Sequence, residues 1–333
     1  MHAEHVGRTR FDPAVARARR HAVERYLRAR RTRVRRATHP SRNVVGVGLG
    51  IKCVGGRAVG RPCVTVYVER KLPPGRVPRA DRIVGELDGV ETDVVAVGRF
   101  RRLGGPAPSF PAPVDPIRPG CSLGSRPAAG GPRVAGTLGA IVTDVGGGRR
   151  HVLSNNHVLA GENALPLGWP VVQPGPHDGG AGRVVATLAD FAALQRAGNL
   201  ADVAVAELAD GVRWTQEAMV PEATLVSGAP VLPYVGQVVR KVGRSSGHTT
   251  GFVVSPSATI RVDGYAQGTL EFVDQVLVER ADGPFARVGD SGSLVTDYFL
   301  SRPVGLLFST SDVVCAASRV DIALGILGVE LRP

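Results

Sequence analysis

Three residues of the chain have the types and spacing needed for nucleophilic catalysis. Ser291 lies in the string GDSGS at 289–293, His157 lies in the string SNNHVL, and Asp202 interrupts an apolar run. A serine hydroxyl is a weak nucleophile unless an adjacent base takes its proton, and histidine is a common base. A carboxylate beside the histidine holds it in the correct tautomer. The three residues therefore predict a nucleophile (Ser291), a base (His157) and an orienting acid (Asp202).

The order of these residues along the chain limits the fold. All eight histidines precede Ser291, and the last is His248. An α/β-hydrolase has its histidine after the serine, and a subtilisin has its aspartate before the histidine, so neither order fits if Ser291 is the nucleophile. The remaining common order is histidine, aspartate, serine, which is that of the two-barrel serine peptidases of the chymotrypsin type.

The orienting acid has two alternatives. Asp178 and Asp190 also lie between His157 and Ser291, one in a Gly/Pro-rich loop and the other at the end of a strand-like run. Asp202 is preferred because an acid inside an apolar strand is costly unless it is paired.

The backbone around the serine is predicted to complete the site. The amides of Gly289 and Ser291 are expected to converge on the negative oxygen that develops during acyl transfer, as in an oxyanion hole. A glycine at 289 suits this role because it adopts backbone conformations that side chains obstruct.

Apolar strands are predicted around the candidate residues. The run 150–159 is typical of a strand that leads into a turn, with His157 near its end. The run 199–208 is typical of a strand that carries Asp202 as one buried acid, and the run 303–309 is typical of a strand that follows the serine.

Together with these motifs, the chain resembles the trypsin-like peptidases of the chymotrypsin fold, and among them the bacterial relatives of the plant narrow-leaf trypsin-like proteins. The resemblance covers most of residues 43–310 and rests on the strings VVGVGLGIK (44–52), VTVYVERKLP (64–73), AGTLGAIV (135–142), SNNHVLA (154–160), ADVAVAEL (201–208), VGRSSGHTTG (242–251) and GDSGSLV (289–295). It implies a double β-barrel and a serine endopeptidase that acts on a protein or peptide through an acyl-enzyme intermediate. Most members read GDSGG, so Ser293 is a departure that bears on specificity more than on activity.

The resemblance also implies where the substrate pocket lies. In this family the pocket forms just upstream of the nucleophile and along a strand downstream, which here places Phe285, Phe308 and Ser309 in it. No acid stands at the base of this pocket, so a preference for small or apolar side chains is expected rather than one for arginine or lysine.

Asp290, which precedes the nucleophile, needs its own partner. In secreted trypsins a freed N-terminus fills this role, and the string RIVG at 82–85 resembles their activation site. Ile83 lies too far before His157 for that arrangement, so cleavage there is not expected. A backbone donor, or an arginine such as Arg287 or Arg244, is predicted as the partner instead.

The positive charge is concentrated in one segment. The chain of 333 residues has a net charge of +12, and residues 1–42 hold thirteen arginines against three acids. The run from Phe11 to Arg36 predicts a basic helix that starts at Asp12-Pro13, with an apolar stripe at helical spacing made of Val15, Ala18, Ala22, Val23, Tyr26 and Leu27. Packing of this stripe on the protein body is the favoured interpretation, and binding of nucleic acid or an anionic surface is the less favoured alternative.

Gly- and Pro-rich composition with short β-branched runs favours a mainly β protein. The predicted fold is a chymotrypsin-like double β-barrel preceded by a small α/β domain and a basic N-terminal helix. The predicted divisions are a helical segment at 1–42, a small α/β domain at 43–100, a linker at 101–130 and a peptidase domain at 131–333, with barrels at about 131–215 and 220–333.

Composition also shapes the expected setting of the protein. No apolar run is long enough to span a membrane and no secretory signal is visible, which favours the cytoplasm. The four cysteines lack metal-ligand spacing, and neither a metal nor a cofactor is expected. Cys53 and Cys63 could pair across a predicted hairpin. A homo-oligomer, a catalytically silent binding module and a nucleic-acid-associated protein stay open as alternatives.

Overall fold

The computed structural model describes residues 11–28, 43–55, 57–103, 112–179 and 182–332. As the sequence predicts, the protein is mainly β, with an N-terminal helix. Two sheets, one of eight strands and one of eleven, account for the strands of the described residues. We call them the first sheet and the second sheet.

The first sheet is built from residues after 120. Its strands are β6 (Ser122–Ser125), β7 (Gly136–Thr137), β8 (Ala140–Asp144), β9 (Arg150–Ser154), β10 (Pro170–Gln173), β11 (Arg183–Phe191), β12 (Ala204–Leu208) and β19 (Val329–Leu331). Their spatial order is β19-β8-β9-β12-β11-β10-β6-β7. An apolar cluster that includes Ile141, Val152, Val185 and Ala204 fills the interior of this sheet.

The second sheet combines strands from both ends of the chain. Its strands are β1 (Val44–Val54), β2 (Arg57–Val68), β3 (Glu86–Leu87), β4 (Val90–Ala96), β5 (Phe100–Arg102), β13 (Val238–Gly243), β14 (Gly247–Tyr265), β15 (Gly268–Glu279), β16 (Leu294–Asp297), β17 (Pro303–Thr310) and β18 (Val314–Arg319). Ten of them follow the order β13-β16-β17-β18-β15-β14-β1-β2-β4-β3, and β5 pairs with both β14 and β17.

Helices are short in the described residues. They are α1 (Pro13–Ala22), which continues as a π-helical stretch Val23–Arg28, and then α2 (Asn156–Leu159), α3 (Pro176–Gly179) and α4 (Val320–Leu327); single 3₁₀ turns lie at Pro74–Arg76, Arg79–Asp81 and Pro221–Ala223. No helix in the described ranges is long and apolar enough to span a membrane.

The N-terminal helix begins where the sequence predicts. The Asp12 carboxylate accepts a hydrogen bond of 2.7 Å from the Ala14 amide, which caps the helix, and Pro13 occupies its first turn. The described helix ends at Arg28, and residues 29–36 of the predicted helix lie outside the described residues. The whole predicted apolar stripe is buried in a cluster with residues of β1 and β2: Val15, Ala18, Ala22, Val23, Tyr26 and Leu27.

Strands β1 to β4, from the region predicted as a small α/β domain, belong to the second sheet. β1 pairs antiparallel with β2 and β2 pairs parallel with β4. The other edge of β1 pairs with β14, with Gly46 opposite Ile260. A Cβ atom at Gly46 would lie 2.9 Å from the Ile260 Cγ2, so the alternating glycines of this strand permit the close approach. The division into separate domains stays a prediction.

Two expectations about connecting segments are refined by the structure. The region 101–130 predicted as a linker contains the end of β5 and all of β6, while residues 104–111 lie outside the described residues. Cys53 and Cys63 are both free. In the β1–β2 hairpin, Cys63 lies opposite Gly50 and Cys53 lies opposite Ala58, so the two cysteines are out of register for a bridge.

Candidate active site

The pairing of β9 with β12 brings His157 and Asp202 together. Ala204 lies opposite Ser154 in this antiparallel pair. Asp202 comes two residues before Ala204 and His157 comes three residues after Ser154, so both extend beyond the same end of the strand pair. His157 lies in the single turn of α2, as the predicted strand-to-turn pattern suggests.

The position of Asp202 differs from the sequence prediction in one respect. It does not lie within the strand: β12 begins at Ala204, and Asp202 occupies the extended segment just before it. Side chains, rather than a neighbouring strand, satisfy the backbone of Asp202. Asn155 Nδ2 donates to the Asp202 carbonyl at 2.7 Å, and the Asp202 amide donates to Ser318 Oγ at 3.2 Å. The carboxyl is fully buried, as the argument from pairing requires.

Ser291 lies on a loop that both sheets hold in place. The Thr137 amide, from β7 of the first sheet, donates to the Ser291 carbonyl at 2.7 Å, and Thr137 Oγ1 donates to the Gly289 carbonyl at 3.0 Å. The Gly292 amide donates to the Leu307 carbonyl of β17 in the second sheet at 2.8 Å. The loop is therefore fixed at the boundary between the two sheets.

The three predicted residues form a continuous hydrogen-bonded chain. His157 Nδ1 lies 2.6 Å from Asp202 Oδ2, and His157 Nε2 lies 2.7 Å from Ser291 Oγ. The His157 amide also donates to Asp202 Oδ1 at 3.2 Å. The residues are 2%, 0% and 1% exposed for His157, Asp202 and Ser291, so the site is closed to solvent in this state.

Tyr265 is a fourth member of this network that the sequence reasoning missed. Its hydroxyl donates to Asp202 Oδ2 at 2.6 Å, and its ring meets the His157 ring edge-on with centroids 6.2 Å apart. Burial and the Asp202 carboxylate raise the pKa of Tyr265 well above its usual value, so the phenol stays a donor. Tyr265 ends the long strand β14, far from any triad string, and no local sequence signal marks it.

The Asp202 carboxyl stays ionised despite its burial. Burial alone would raise its pKa, but the interaction with the His157 charge and the hydrogen bonds from His157 and Tyr265 outweigh that effect and hold the pKa below its usual range. An ionised carboxylate at this point keeps the proton of His157 on Nδ1 and leaves Nε2 facing Ser291.

A buried lysine, rather than an arginine, is the cationic partner of Asp290. Lys241 Nζ lies 3.0 Å from Asp290 Oδ2, and both side chains are fully buried. The predicted backbone donors are present, since the amides of Ser245, Ser246 and Arg287 all donate to the Asp290 carboxylate. Of the two predicted alternatives, the backbone donor is therefore present, and the cation is Lys241 rather than an arginine side chain.

The Lys241–Asp290 pair fixes the loop that carries Ser291. Burial alone would raise the pKa of Asp290, but Lys241 and the Ser246 hydroxyl outweigh it and lower that pKa below its usual range. Burial lowers the pKa of Lys241, and the Asp290 charge opposes that shift. The partner that Asp290 needs is thus a cation from within the chain.

The other two candidate acids have different partners. Asp178 accepts hydrogen bonds from Arg244 Nη1 and, at 2.6 Å, from Ser122 Oγ, and the Asp178–Arg244 ion pair is buried. Asp190 accepts a hydrogen bond from the Phe191 amide beside it. Neither has a hydrogen bond to His157 among the contacts of the described residues.

Two glycines of the serine loop are required by its backbone. Gly289 has φ +96° and Gly292 has φ +89°, in the region that favours glycine. A Cβ atom at Gly289 would lie 2.4 Å from Arg244 Nη2, and one at Gly292 would lie 2.4 Å from the Thr137 carbonyl. The glycine expected for the oxyanion loop thus also leaves room for its neighbours.

The departure at Ser293 is accommodated locally. Ser293 is buried, and its hydroxyl donates to the Asp290 carbonyl at 2.6 Å. It faces Gly243, where an added Cβ atom would lie 2.8 Å from Ser293 Oγ. The hydroxymethyl group therefore occupies space left by a glycine on β13, on the side of the loop that faces the Asp290 backbone.

The three predicted pocket residues, Phe285, Phe308 and Ser309, make different kinds of contact. Phe285 is buried in an apolar cluster with Ala286 and Leu103. The Phe308 side chain instead packs on Phe272, with ring centroids 4.6 Å apart, and belongs to another cluster. Its backbone carbonyl accepts a hydrogen bond from the Leu103 amide at 3.2 Å, and Ser309 Oγ donates to the Arg101 carbonyl at 2.9 Å. Within the described residues, no three His, Cys, Asp or Glu side chains cluster as metal ligands.

Comparisons with known proteins give one curated relative and a group of solved structures with a similar fold. No protein-family model matches the chain. The chain is 27% identical over 304 residues to Protein NARROW LEAF 1 of Oryza sativa subsp. japonica, a match that covers 79% of this chain and 50% of that protein. The chain therefore spans about half the length of the curated relative it matches.

Solved structures similar to this chain are trypsin- and chymotrypsin-like serine proteases. They include a glutamic-acid-specific serine protease with 19% identity and a TM-score of 0.45 over 65% of this chain and 100% of that one. They also include Thermobifida fusca protease A, with 16% identity and a TM-score of 0.46 over 65% and 98% of the two chains. At these low similarities, the chemistry of the site has to be argued from its own geometry.

Proposed function

We propose that the protein is a serine endopeptidase that hydrolyses peptide bonds through His157, Asp202 and Ser291. The observation that carries this proposal is the continuous hydrogen-bonded chain from Asp202 through His157 to Ser291, with distances of 2.6 and 2.7 Å. Such distances meet the geometric requirement for a base that takes the proton of a nucleophile.

In the first half of the proposed reaction, Ser291 Oγ attacks the substrate carbonyl carbon while His157 Nε2 takes the hydroxyl proton. His157 then gives this proton to the leaving amine, and an acyl-enzyme is left. In the second half, water attacks the ester, with the same nitrogen as base and then as acid. The ionised Asp202 stabilises the imidazolium in both halves, and the Tyr265 hydroxyl holds Asp202 in position.

The charge on the tetrahedral intermediate needs donors that are fixed in advance. We assign this role to the backbone amides of Gly289 and Ser291, in a loop held by Asp290, Lys241 and Thr137. Losing one such donor typically lowers turnover by about 10²–10³. Because the cation that holds the loop is part of the chain, the site needs no proteolytic step to position these amides.

The substrate class is a protein or peptide with an apolar residue before the scissile bond. Phe285 and Ala286, which come six and five residues before Ser291, are buried in an apolar cluster. An apolar pocket favours apolar side chains and penalises a charge that has no partner.

Reaction with a fluorophosphonate probe tests the proposal, because the probe labels only an activated serine. We expect labelling of the native chain at Ser291 and none of the Ser291→Ala variant at equal folded content. If neither the native chain nor a folded Leu103→Asp variant, in which the cleft is opened, is labelled, the result would instead support the catalytically silent binding module.

A further inference from the structure

Residues 100–103 lie across the candidate active site as an added strand. β5 pairs antiparallel with the end of β17, with Arg102 opposite Ser309 and Arg101 opposite Thr310. An extended peptide that binds beside an existing strand gains its affinity from main-chain hydrogen bonds. This segment of the chain therefore has the geometry of a peptide bound in the cleft.

Leu103 ends this strand at the nucleophile. Its amide donates to the Phe308 carbonyl at 3.2 Å, and its own carbonyl oxygen accepts a hydrogen bond from Ser291 Oγ at 2.6 Å. The same Oγ lies 2.7 Å from His157 Nε2. Ser291 Oγ thus lies beside both the base and the carbonyl group of Leu103, so the peptide bond after Leu103 is the one nearest to the nucleophile.

The Leu103 side chain fills the apolar pocket. Leu103 is 1% exposed and shares its buried cluster with Phe285 and Ala286, the residues just upstream of the serine loop. This placement explains why the triad is closed to solvent, since the chain covers its own site. It also agrees with the apolar preference expected from the sequence.

Arg102 anchors the segment on the opposite side. Its guanidinium lies 3.2 Å from Glu162 Oε1, donates to the Gly264 carbonyl at 3.1 Å and lies 5.9 Å from the centre of the Tyr265 ring. Glu162 in turn accepts a hydrogen bond of 2.6 Å from the Ala266 amide. The segment is therefore held by ionic, backbone and pocket contacts together.

We propose that residues 100–103 are the enzyme's own substrate segment and that the chain is cleaved in cis on the carboxyl side of Leu103. The inference rests on the proposed peptidase function. Ser291 Oγ bonds to the Leu103 carbonyl carbon as His157 takes its proton, and the bond to the next residue breaks as its amine receives that proton. One water then cleaves the ester: its oxygen bonds to the Leu103 carbonyl carbon, one of its protons passes through His157 to Ser291 Oγ, and the acid that forms ionises to a Leu103 carboxylate.

Intact-mass measurement of the full chain tests this cleavage. We expect the native protein to separate under denaturing conditions into residues 1–103 and 104–333, and the Ser291→Ala protein to stay intact. The two fragments should elute together under native conditions, because β1 and β5 pair with strands of the second sheet. A native protein that labels at Ser291 with fluorophosphonate yet stays intact would overturn the inference and leave the proposed function standing.

A mixing experiment tests whether cleavage occurs in cis. We expect an affinity-tagged Ser291→Ala chain to remain intact when incubated with the native protein, and the native rate to be independent of protein concentration. Cleavage of the tagged chain after Leu103 at a comparable rate would contradict the cis arrangement.

The variant Leu103→Asp tests the role of the pocket. A carboxylate in this apolar pocket should slow cleavage after residue 103 by roughly 100-fold or more. It should also open the cleft, so that fluorophosphonate labels Ser291 faster in this variant than in the native protein. The matched control is Leu232→Asp, because Leu232 is 69% exposed, and cleavage should proceed in it at the native rate. Unchanged cleavage in a folded Leu103→Asp protein would refute the inference. If neither the native protein nor Leu103→Asp is labelled by fluorophosphonate, and neither is cleaved, both the peptidase function and the cleavage in cis are refuted.

Discussion

Asp202 and Asp290 are both fully buried aspartates near Ser291, but their partners are of different kinds. Asp202 accepts hydrogen bonds from His157, which exchanges a proton in the proposed reaction, and from Tyr265. Asp290 binds Lys241, which supplies a cation, and three backbone amides. The same residue type thus contacts a histidine that can exchange a proton in one place and a permanent part of a loop's framework in the other.

Because the partners differ, a change at Asp202 should mainly affect turnover, and a change at the Asp290 pair should mainly affect the free energy of unfolding. A change at Asp202 alters the tautomer of His157 but leaves packing nearly unchanged, since an asparagine has the same shape. A change at the Asp290 pair leaves a buried charge without its partner, which costs folding free energy before it affects chemistry. Turnover and unfolding free energy, measured together, therefore distinguish the two.

The largest expected effect is on turnover in Asp202→Asn. We expect a loss of about 10⁴, because an asparagine can present His157 with the wrong tautomer. The free energy of unfolding at neutral pH should fall by less than in Lys241→Met, because the asparagine keeps the shape of Asp202 but loses the charge that His157 and Tyr265 stabilise. The measurement is the rate of Ser291 labelling or peptide turnover alongside chemical unfolding.

The controls for this prediction are Asp190→Asn and Asp178→Asn. Asp190 bonds only to the backbone amide next to it among the hydrogen bonds of the described residues, so both readouts should stay at the native value. Asp178 pairs with the buried Arg244, so its change should lower stability rather than the rate per folded molecule. If either control abolishes turnover while Asp202→Asn does not, the assignment of the orienting acid is wrong.

The second largest effect is expected in Lys241→Met. Removing one partner of a buried ion pair costs about 3–5 kcal/mol of unfolding free energy, because the other charge is left uncompensated. Urea unfolding measures this loss. The double variant Lys241→Met with Asp290→Asn should recover a large part of it, because no unpaired charge remains. If the double variant is as unstable as the sum of the two single variants, Lys241 and Asp290 do not stabilise each other.

The comparison also shows what the sequence could and could not predict. The contacts among His157, Asp202 and Ser291 were predictable because the chemistry that these residue types could perform requires them to lie together. The partner of Asp290 was not, since Lys241 lies on β13 and only the β13–β16 pairing brings it near the serine loop. Tyr265 was missed for the same reason, because a contact between distant strands leaves no local pattern.

The pairing of strands that are far apart in the sequence is the other feature that the sequence could not predict. The runs 44–52 and 64–69 alternate as paired strands do, but the attachment of β1 to β14 depends on a pairing across some two hundred residues. Residues 101–103 were assigned to a linker because of the Pro- and Gly-rich run that follows them. Only the pairing of β5 with β17 reveals that they cross the active site.

A smaller effect, on the pH dependence of stability, is expected in Tyr265→Phe. The folded-state pKa of Asp202 is lowered by His157 and Tyr265 against the effect of burial, so its stabilising contribution is present above the unfolded pKa of about 3.9 and is lost as the pH falls through the folded value. Removing the Tyr265 donor raises the folded value, so this contribution is lost at a higher pH.

The measurement for Tyr265→Phe is unfolding free energy against pH below about pH 5, the range in which acid titration of such carboxylates appears. We expect the acid transition to move upward and turnover at neutral pH to fall by about tenfold, because a hydrogen bond to a charged group contributes about 1.5–3 kcal/mol. Tyr298→Phe is the matched control, since Tyr298 is 39% exposed. An acid transition that stays at the native pH would show that Tyr265 does not stabilise the Asp202 carboxylate.

The smallest effect on the site is expected from deletion of residues 1–42, because the described part of this segment touches neither aspartate. Its apolar stripe packs on β1 and β2, and its described ionic contacts with the second sheet and its turns are Arg28 to Glu271 at 2.7 Å and His21 to Asp88 at 3.0 Å. An ion pair with one partly exposed partner contributes only about 0–1 kcal/mol.

We expect the shortened protein to unfold more easily, since the deletion exposes the apolar surface under the helix, but to react with fluorophosphonate at Ser291 within about twofold of the native rate at equal folded content. Circular dichroism and the labelling rate check the two parts, and Arg28→Ala isolates the ionic contact with Glu271. A folded but unreactive protein would contradict this prediction. It would mean that the helix reaches the site through Glu271, whose carbonyl accepts the Asn199 amide at 3.2 Å, three residues before Asp202.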